Sequence, residues 1–229
     1  MKTEIECRLL NVDVAQFIKK LKDKNADFVG DWVQIRNCYD FTPVKPNSWI
    51  RLRTNGVETT LTIKEIANSK IDGTKECEIM VSDFNTTDEM LNKLGYFARS
   101  RQENRRIRYV LDDVEIDIDF WPLIPAYVEF EGKSEEAIRN LCKNIDVDFE
   151  SLVSIDVERI YAHYGINFSS LPPIITLEDS VKNLKFNTWF TKFYVLQTKK
   201  SQKIRGSFFS TYNFPQKDFY NGLFLFIAV

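Results

Sequence analysis

Charged side chains in this sequence fall at every second position, in short like-charged sets. Glu4 and Glu6 precede Arg8; further on come Arg51 and Arg53, Glu76 and Glu78, Arg106 and Arg108, Asp117 and Asp119, and Glu129 and Glu131. Between them stand Ile, Leu, Val, Phe or Cys, as in Val114-Glu115-Ile116-Asp117-Ile118-Asp119-Phe120. A period of two is the strand period, so each strand has an apolar face and a charged one. Carboxylates gathered in one space raise one another's pKa unless a cation sits among them. Oxygen-only ligands select hard ions such as Mg²⁺ or Mn²⁺. Arginines offer planar donor forks that match phosphate oxygens and never lose their charge. A space lined by both suits a polyphosphate bridged by a divalent metal, where reaction at phosphorus needs mainly positioning and charge neutralisation.

The elements that position these residues follow from the same pattern. Alternation predicts strands over residues 2–10, 27–39, 48–54, 57–64, 75–82, 96–101, 104–111, 114–120 and 127–131. Helical spacing of Val14, Phe17, Ile18 and Leu21 predicts a helix over 12–25 with Asp13 as its cap. Further helices are expected over 85–94, started near Thr86 or Thr87 and ended by Gly95, over 134–143, and over 155–164, ended by Gly165. Asn55-Gly56 reads as a short hairpin turn, Asp72-Gly73 and Asp112-Asp113 as further turns, and the stretch 42–47, with two prolines, as a loop. Cys7 and Cys77 fall on the apolar parity of their strands and are expected to be buried.

Composition narrows the functional classes. The chain has 229 residues, 28% charged and 44% hydrophobic, enough for one domain with a core plus an extension. A net charge of -2 gives no case for general nucleic-acid binding. No stretch approaches the ~20 apolar residues of a membrane span, and no apolar signal region opens the sequence, so a cytoplasmic protein is expected. The four cysteines lack CxxC spacing and read as reduced thiols. With His163 the sole histidine, chemistry must come from carboxylates, Arg, Lys or a bound metal.

The charged strand faces point either to open water or to each other. Solvated faces usually mix Lys, Thr, Gln and Ser, whereas Arg and carboxylate dominate here and segregate by strand. Closing the sheet would set Arg-bearing strands opposite acidic ones and remove the edges, with helices covering the apolar outside. Internal ion pairing without a ligand is the competing explanation, but burying so many charges for stability alone is unfavourable.

Glu4-x-Glu6-x-Arg8 resembles the N-terminal ExExK signature of the CYTH superfamily, the triphosphate tunnel metalloenzymes. Arg51-x-Arg53, Lys64, Glu76-x-Glu78, Arg106-x-Arg108, Asp117/Asp119 and Glu129-x-Glu131 follow in the family's order across residues 1–166. Trp121-Pro-Leu-Ile-Pro125 followed by Val-Glu-Phe-Glu-Gly132 also looks like a bacterial subgroup of that superfamily, often labelled class IV adenylyl cyclase. The resemblance implies an α+β fold: an eight-stranded antiparallel β tunnel, a closed barrel with helices packed outside, over residues 1–166, with a C-terminal extension over 167–229. It implies Mg²⁺ or Mn²⁺ held by Glu4, Glu6, Glu129 and Glu131 with Asp117 or Asp119. It implies a triphosphate clamp of Arg51, Arg53, Lys64, Arg106 and Arg108, joined by Arg36, with Glu76 and Glu78 orienting the bases. Arg8 and Lys64 are the candidate catalytic residues. Arg8 departs from the family Lys; it keeps the charge but cannot act as a base. The expected partner is a triphosphate-containing small molecule, with no nucleic acid or membrane, and a homodimer is allowed. Metal-dependent hydrolysis of inorganic triphosphate, thiamine triphosphate or a nucleoside triphosphate is favoured. Cyclisation of ATP to cyclic AMP and pyrophosphate is the alternative, and a non-catalytic polyphosphate- or nucleotide-binding module the third.

The resemblance does not reach the last part of the chain. Leu171-Pro172-Pro173 breaks the pattern, and residues 188–229 are aromatic and basic, with Asp218 as their one acid. An added packing segment, or sequence with little selected structure, is favoured there over a membrane- or nucleic-acid-binding tail.

Overall fold

The computed structural model describes residues 1–179; the expectations for 188–229 lie outside the described residues. In chain order the elements are β1 (Lys2–Leu9), α1 (Val14–Asp23), β2 (Asp27–Tyr39), β3 (Ser48–Thr54), β4 (Thr59–Ile66), β5 (Thr74–Val81) and α2 (Phe84–Lys93). Then come β6 (Ala98–Leu111), β7 (Val114–Phe120), β8 (Tyr127–Gly132), α3 (Glu135–Asn144), α4 (Val157–His163) and β9 (Ile174–Ile175).

Neighbouring strands run in the order β2-β3-β4-β5-β1-β8-β7-β6, and β2 pairs again with β6. That last pairing closes an eight-stranded antiparallel barrel, to which β9 adds one short parallel strand on β6 at Arg101 and Gln102. The α+β tunnel that the resemblance implies, in agreement with the charge pattern, is therefore the fold. No helix among the described residues is long and apolar enough to cross a membrane.

Local chemistry explains the elements. The Asp13 carboxylate accepts from the Ala15 and Gln16 amides at 3.1 Å and starts α1; Ser134 does the same for α3 through Ala137 at 3.1 Å. Asp112 and Asp113, with φ of 53° and 60°, supply the two left-handed residues that a tight β6–β7 hairpin needs. Gly95 (φ 90°) ends α2.

The strands carry their apolar residues outward, under the helices. Phe17 and Leu21 of α1 and Ile138, Leu141 and Cys142 of α3 pack on Cys7, Ile107, Ile116, Ile118, Val128 and Phe130. Leu91 of α2 covers Tyr39, Ile50 and Leu52, and Ile160 and Tyr161 of α4 pack on Trp121, Ile124 and Tyr127.

Four expectations are corrected. The strands predicted over 96–101 and 104–111 are one, β6, because β2 pairs with it continuously from Asp27 to Tyr39, save for two irregularities. The β3–β4 loop is longer than a two-residue Asn-Gly turn: Asn55 Oδ1 accepts from the Val57 and Glu58 amides at 2.9 and 2.8 Å, and the return strand starts at Thr59. Helix α2 starts at Phe84 rather than 85, because the Asp83 carboxylate caps it by accepting from the Thr86 amide at 2.6 Å. Cys77 is exposed, as is its outward neighbour Ile79 at 56%; their alternation is apolar, but the helices cover other strands.

Phe130 is fully buried between sheet and helices and meets the Phe17 ring edge-on at 6.3 Å. Phe130→Ala is expected to lower the unfolding free energy by about 3–5 kcal/mol, read from urea denaturation followed by circular dichroism.

Candidate active site in the charged tunnel

The residues between the outward apolar ones point into the barrel, and strand register decides which of them meet. Arg8 stands opposite Glu129, Glu129 opposite Asp117, and Asp117 opposite Arg108. Glu6 faces Glu131, which faces Glu115. On the far side Arg36 faces Arg53, Arg51 faces Thr62, Thr62 faces Glu78, and Lys64 faces Glu76. Apart from Asp117 and Thr62, these side chains line a cavity of about 710 Å³, which Trp49, Trp121 and Tyr127 also line.

On the acidic wall the guanidinium forks are filled. Arg106 donates Nε and Nη2 to the two Asp119 oxygens at 2.8 and 2.6 Å, reaches Asp117 at 2.5 Å and contacts Glu129 at 3.1 Å. Arg108 forks onto Asp117 at 2.7 and 2.6 Å and pairs with Glu115 at 2.7 Å. Arg8 bridges Glu129 and Glu6 through Nη2 at 2.6 and 2.8 Å, while Nη1 donates to the Ile155 carbonyl at 2.7 Å. Burial alone would raise the Glu129 carboxyl, but the charges of Arg8 and Arg106 outweigh it and hold Glu129 well below the usual carboxylate range. The fully buried Asp119 is pushed up by burial against the pull of Arg106.

Elsewhere the charges do not cancel. Burial, with the negative charges of Glu6 and Glu76, pushes Glu4 up to about 8 even though Lys64 Nζ lies 2.9 Å away. Glu76 stays near 2, because Lys64 at 2.7 Å and Arg51 at 3.3 Å outweigh its burial. Glu131 is raised by burial and then by Glu129, Glu115 and Glu6, and its cationic partner is the exposed Lys2 at 3.7 Å. On the basic side, burial and the neighbouring Arg51 and Arg106 pull Arg36 down to about 10. The same causes, with Arg36 added, pull Arg53 well down. The least compensated charges of the tunnel are thus Glu131 among its acidic neighbours on one side, and Arg36 and Arg53 on the other.

The cavity lining includes every side chain named from the sequence for the metal site, the clamp and catalysis except Asp117 and Asp119, which pair with Arg106 and Arg108. Among the described residues no group of three carboxylate, Cys or His ligands is already gathered around one point as a metal cage. The donor chemistry still suits a hard cation beside Glu131: the set is oxygen-only, and Glu131 is destabilised by its like-charged neighbours. Asp117 and Asp119 fit less well, since Arg106 and Arg108 hold both. His163 is exposed on α4, its ring 5.0 Å from that of Tyr164. Sequence reasoning missed Asn104, Thr62, Tyr127 and Trp121. Asn104 is fully buried and donates Nδ2 to Asp119 at 3.0 Å, and Thr62 donates to Glu78 at 2.6 Å. Their shared parity with the charged residues was the available signal. Trp121, read as part of a rigid bend, lies under the Arg36 guanidinium at 4.5 Å.

A model of the CYTH domain family matches residues 2–147. Among solved structures, the Pyrococcus horikoshii protein PH1012 matches with TM-score 0.59 and 19% identity, covering 69% of this chain and 98% of its own. A conserved hypothetical protein of Pyrococcus furiosus gives TM-score 0.59 and 21% identity over 69% of this chain and 99% of its own. A proposed adenylate cyclase of Vibrio parahaemolyticus gives 0.58 and 14% over 70% and 98%. At these identities the likeness is one of fold. No curated protein matches the sequence.

The two acidic residues of β8 should behave oppositely. Glu129→Gln leaves Arg8 and Arg106 short of counter-charge and is expected to cost about 3–5 kcal/mol of stability at neutral pH. A depressed carboxyl contributes stability above its unfolded value of ~4.3 and loses it as pH falls through its folded value. The stability gap between wild type and this variant should therefore begin to narrow below about pH 4. Glu131→Gln relieves like-charge repulsion and should be as stable as wild type or slightly more so. Chemical denaturation from pH 3 to 8 checks both.

Proposed function

Because this chain belongs to the CYTH domain family, we propose that it is a divalent-metal-dependent phosphohydrolase that binds a triphosphate substrate in its tunnel. The observation that carries this reading is the set of under-compensated charges on one cavity, Glu131 at one side and Arg36 and Arg53 at the other, whose nearest opposite charges are distant or absent among the described residues. A polyphosphate with a bound divalent cation supplies both missing counter-charges at once.

In this reading Arg51 and Arg53, with Arg36, hold the phosphate chain through guanidinium donors, while Arg106 and Arg108, whose forks lie on Asp119 and Asp117, contribute fixed positive charge. Glu76 and Glu78 aim Arg51, and Asp117, Asp119 and Glu129 aim Arg106 and Arg108. Glu131, Glu6 and Glu4 are the residues that would hold the cation. When bound, a divalent cation neutralises charge on the phosphate oxygens and makes its water a better nucleophile. Arg8, locked by Glu6, Glu129 and the Ile155 carbonyl, acts as a fixed positive charge and not as a base. Lys64, between Glu4 and Glu76, supports the phosphate as a point charge. In hydrolysis, water attacks the terminal phosphorus and a diphosphate leaves.

The name of the Vibrio parahaemolyticus structure supports a second reading, ATP cyclisation. There the ribose 3′-hydroxyl attacks the α-phosphorus and pyrophosphate leaves. The same clamp and cation would serve.

Incubation with Mg²⁺ or Mn²⁺ and tripolyphosphate or ATP, with the products resolved by chromatography, separates the readings. Orthophosphate with diphosphate is expected. Cyclic AMP with pyrophosphate would replace hydrolysis by cyclisation, and no turnover of either would leave a binding module. Glu131→Gln should lower metal-dependent turnover by at least the roughly 10- to 100-fold that loss of even an outer-shell partner brings, with its circular dichroism unchanged.

A further inference from the structure

The inner face of β2 carries a tryptophan as well as charge. Trp32 keeps the parity of Gln34 and Arg36, and it stands directly opposite Arg106 on β6. Residues opposite each other in a strand pair share a face, and Arg106 lines the tunnel cavity. The indole is therefore on the tunnel side of the sheet, away from the outward residues that the helices cover. Its neighbours on that side, Gln34, Arg106 and Arg108, are polar or charged, so packing in an apolar core does not account for it.

Strand pairing places Trp32 at the rim. Among the described residues β3 pairs with β2 from Ile35 to Tyr39, and β3 ends at Thr54, opposite Ile35. Trp32 thus lies where β2 runs past the end of β3, and its side chain is half-buried. Four residues separate it from Arg36, about 13 Å at the rise of a strand. Gly30 fixes where the ring lies. A Cβ at Gly30 would fall 2.0 to 2.5 Å from Cζ2, Cη2 and Cε2 of the indole. The ring therefore folds back along its own strand against the bare backbone of Gly30, whose partner Arg108 also lines the cavity. A glycine inside a strand often marks such a close approach. The result is a flat apolar plate held at the tunnel rim, beyond the groups assigned to the phosphate chain.

We infer that Trp32 is a stacking platform for a planar, nucleobase-like ring carried by the triphosphate. This rests on the triphosphate reading of the tunnel and adds a substrate class to it: an organic triphosphate in preference to the inorganic one. Charge inside the barrel holds the phosphate chain, and the ring at its end leaves water for the face of the indole. Such stacking tolerates many rings because every base has a π-face. The platform selects for the presence of a ring, not for its hydrogen-bonding edge.

The test is calorimetric titration of the full-length protein, with Mg²⁺, using the hydrolysis-resistant imido analogues of ATP and of tripolyphosphate. Wild type is expected to bind both. Trp32→Ala should weaken the ATP analogue by ~5- to 150-fold, the scale of one base–aromatic stack, and leave the inorganic analogue unchanged. Trp32→Phe, which keeps a plane, should fall between the two. Gly30→Ala, which keeps the indole but drives it off its seat, should show the same selective loss as Trp32→Ala. If Trp32→Ala does not fold by circular dichroism, Trp32→Leu, an apolar cover for Gly30 without a plane, takes its place with the same expectation. Equal weakening of both ligands would overturn the platform and make Trp32 a structural cover for Gly30. Unchanged binding of the ATP analogue, or wild-type binding of the inorganic analogue alone, would also overturn it while leaving the proposed function standing. No wild-type binding of either analogue would overturn both.

Discussion

A charge removed from bulk water must be given a partner, and that requirement governs this molecule. Closing the sheet through the β2–β6 pairing turns one face of every barrel strand inward. Arg106 shows the result: a buried guanidinium surrounded by Asp117, Asp119 and Glu129. Such networks seldom stabilise a fold more than apolar residues of the same size would. Stability comes from the other side of the same strands, where Ile116, Ile118, Val128 and Phe130 lie fully buried under α1 and α3. Alternate residues of each strand thus divide the work between holding the barrel together and equipping its interior.

Neutralisation inside the barrel is uneven. Aspartates 117 and 119 are matched by arginines to within hydrogen-bond distance, whereas Glu131 and Arg53 have only distant partners. The matched groups form a paired frame, and the unmatched ones leave an uncompensated field inside the barrel. Arginine at position 8 belongs to the frame: with two carboxylates and a carbonyl on its fork it is pinned in a way a single ammonium could not be.

Much of this was legible in the sequence because strand alternation maps one-to-one onto inside and outside. The shared face of the charges follows from that parity; closure of the barrel was legible in the segregation of Arg and carboxylate by strand and in the family resemblance. The single long β6 was not legible, because around Gln102 and Asn104 polar residues stand on both faces: those two point inward, while Arg101, Glu103 and Arg105 alternate with them. The exposure of Cys77 was hidden too, since alternation tells which face a residue takes but not whether a helix will cover it. The choice of partner was beyond the sequence. That Arg108 meets Asp117 and Arg106 meets Asp119 depends on the β6–β7 register, and a shift of two residues would keep every parity and change every pair.

The place of β1 in the barrel has a consequence for how the chain reaches its native state. This strand, the first of the sequence, lies between β5 and β8, and its Arg8 backbone exchanges hydrogen bonds with Val153 at 2.8 and 2.9 Å. During synthesis β1 emerges well before either neighbour and waits with unpaired edges until more than half the domain has followed. Contacts of such long sequence separation make loop closure the slow step of folding. Carboxylates and an arginine on one face of β1 are then useful before any chemistry begins, because a charged strand resists pairing with the wrong chain while it waits.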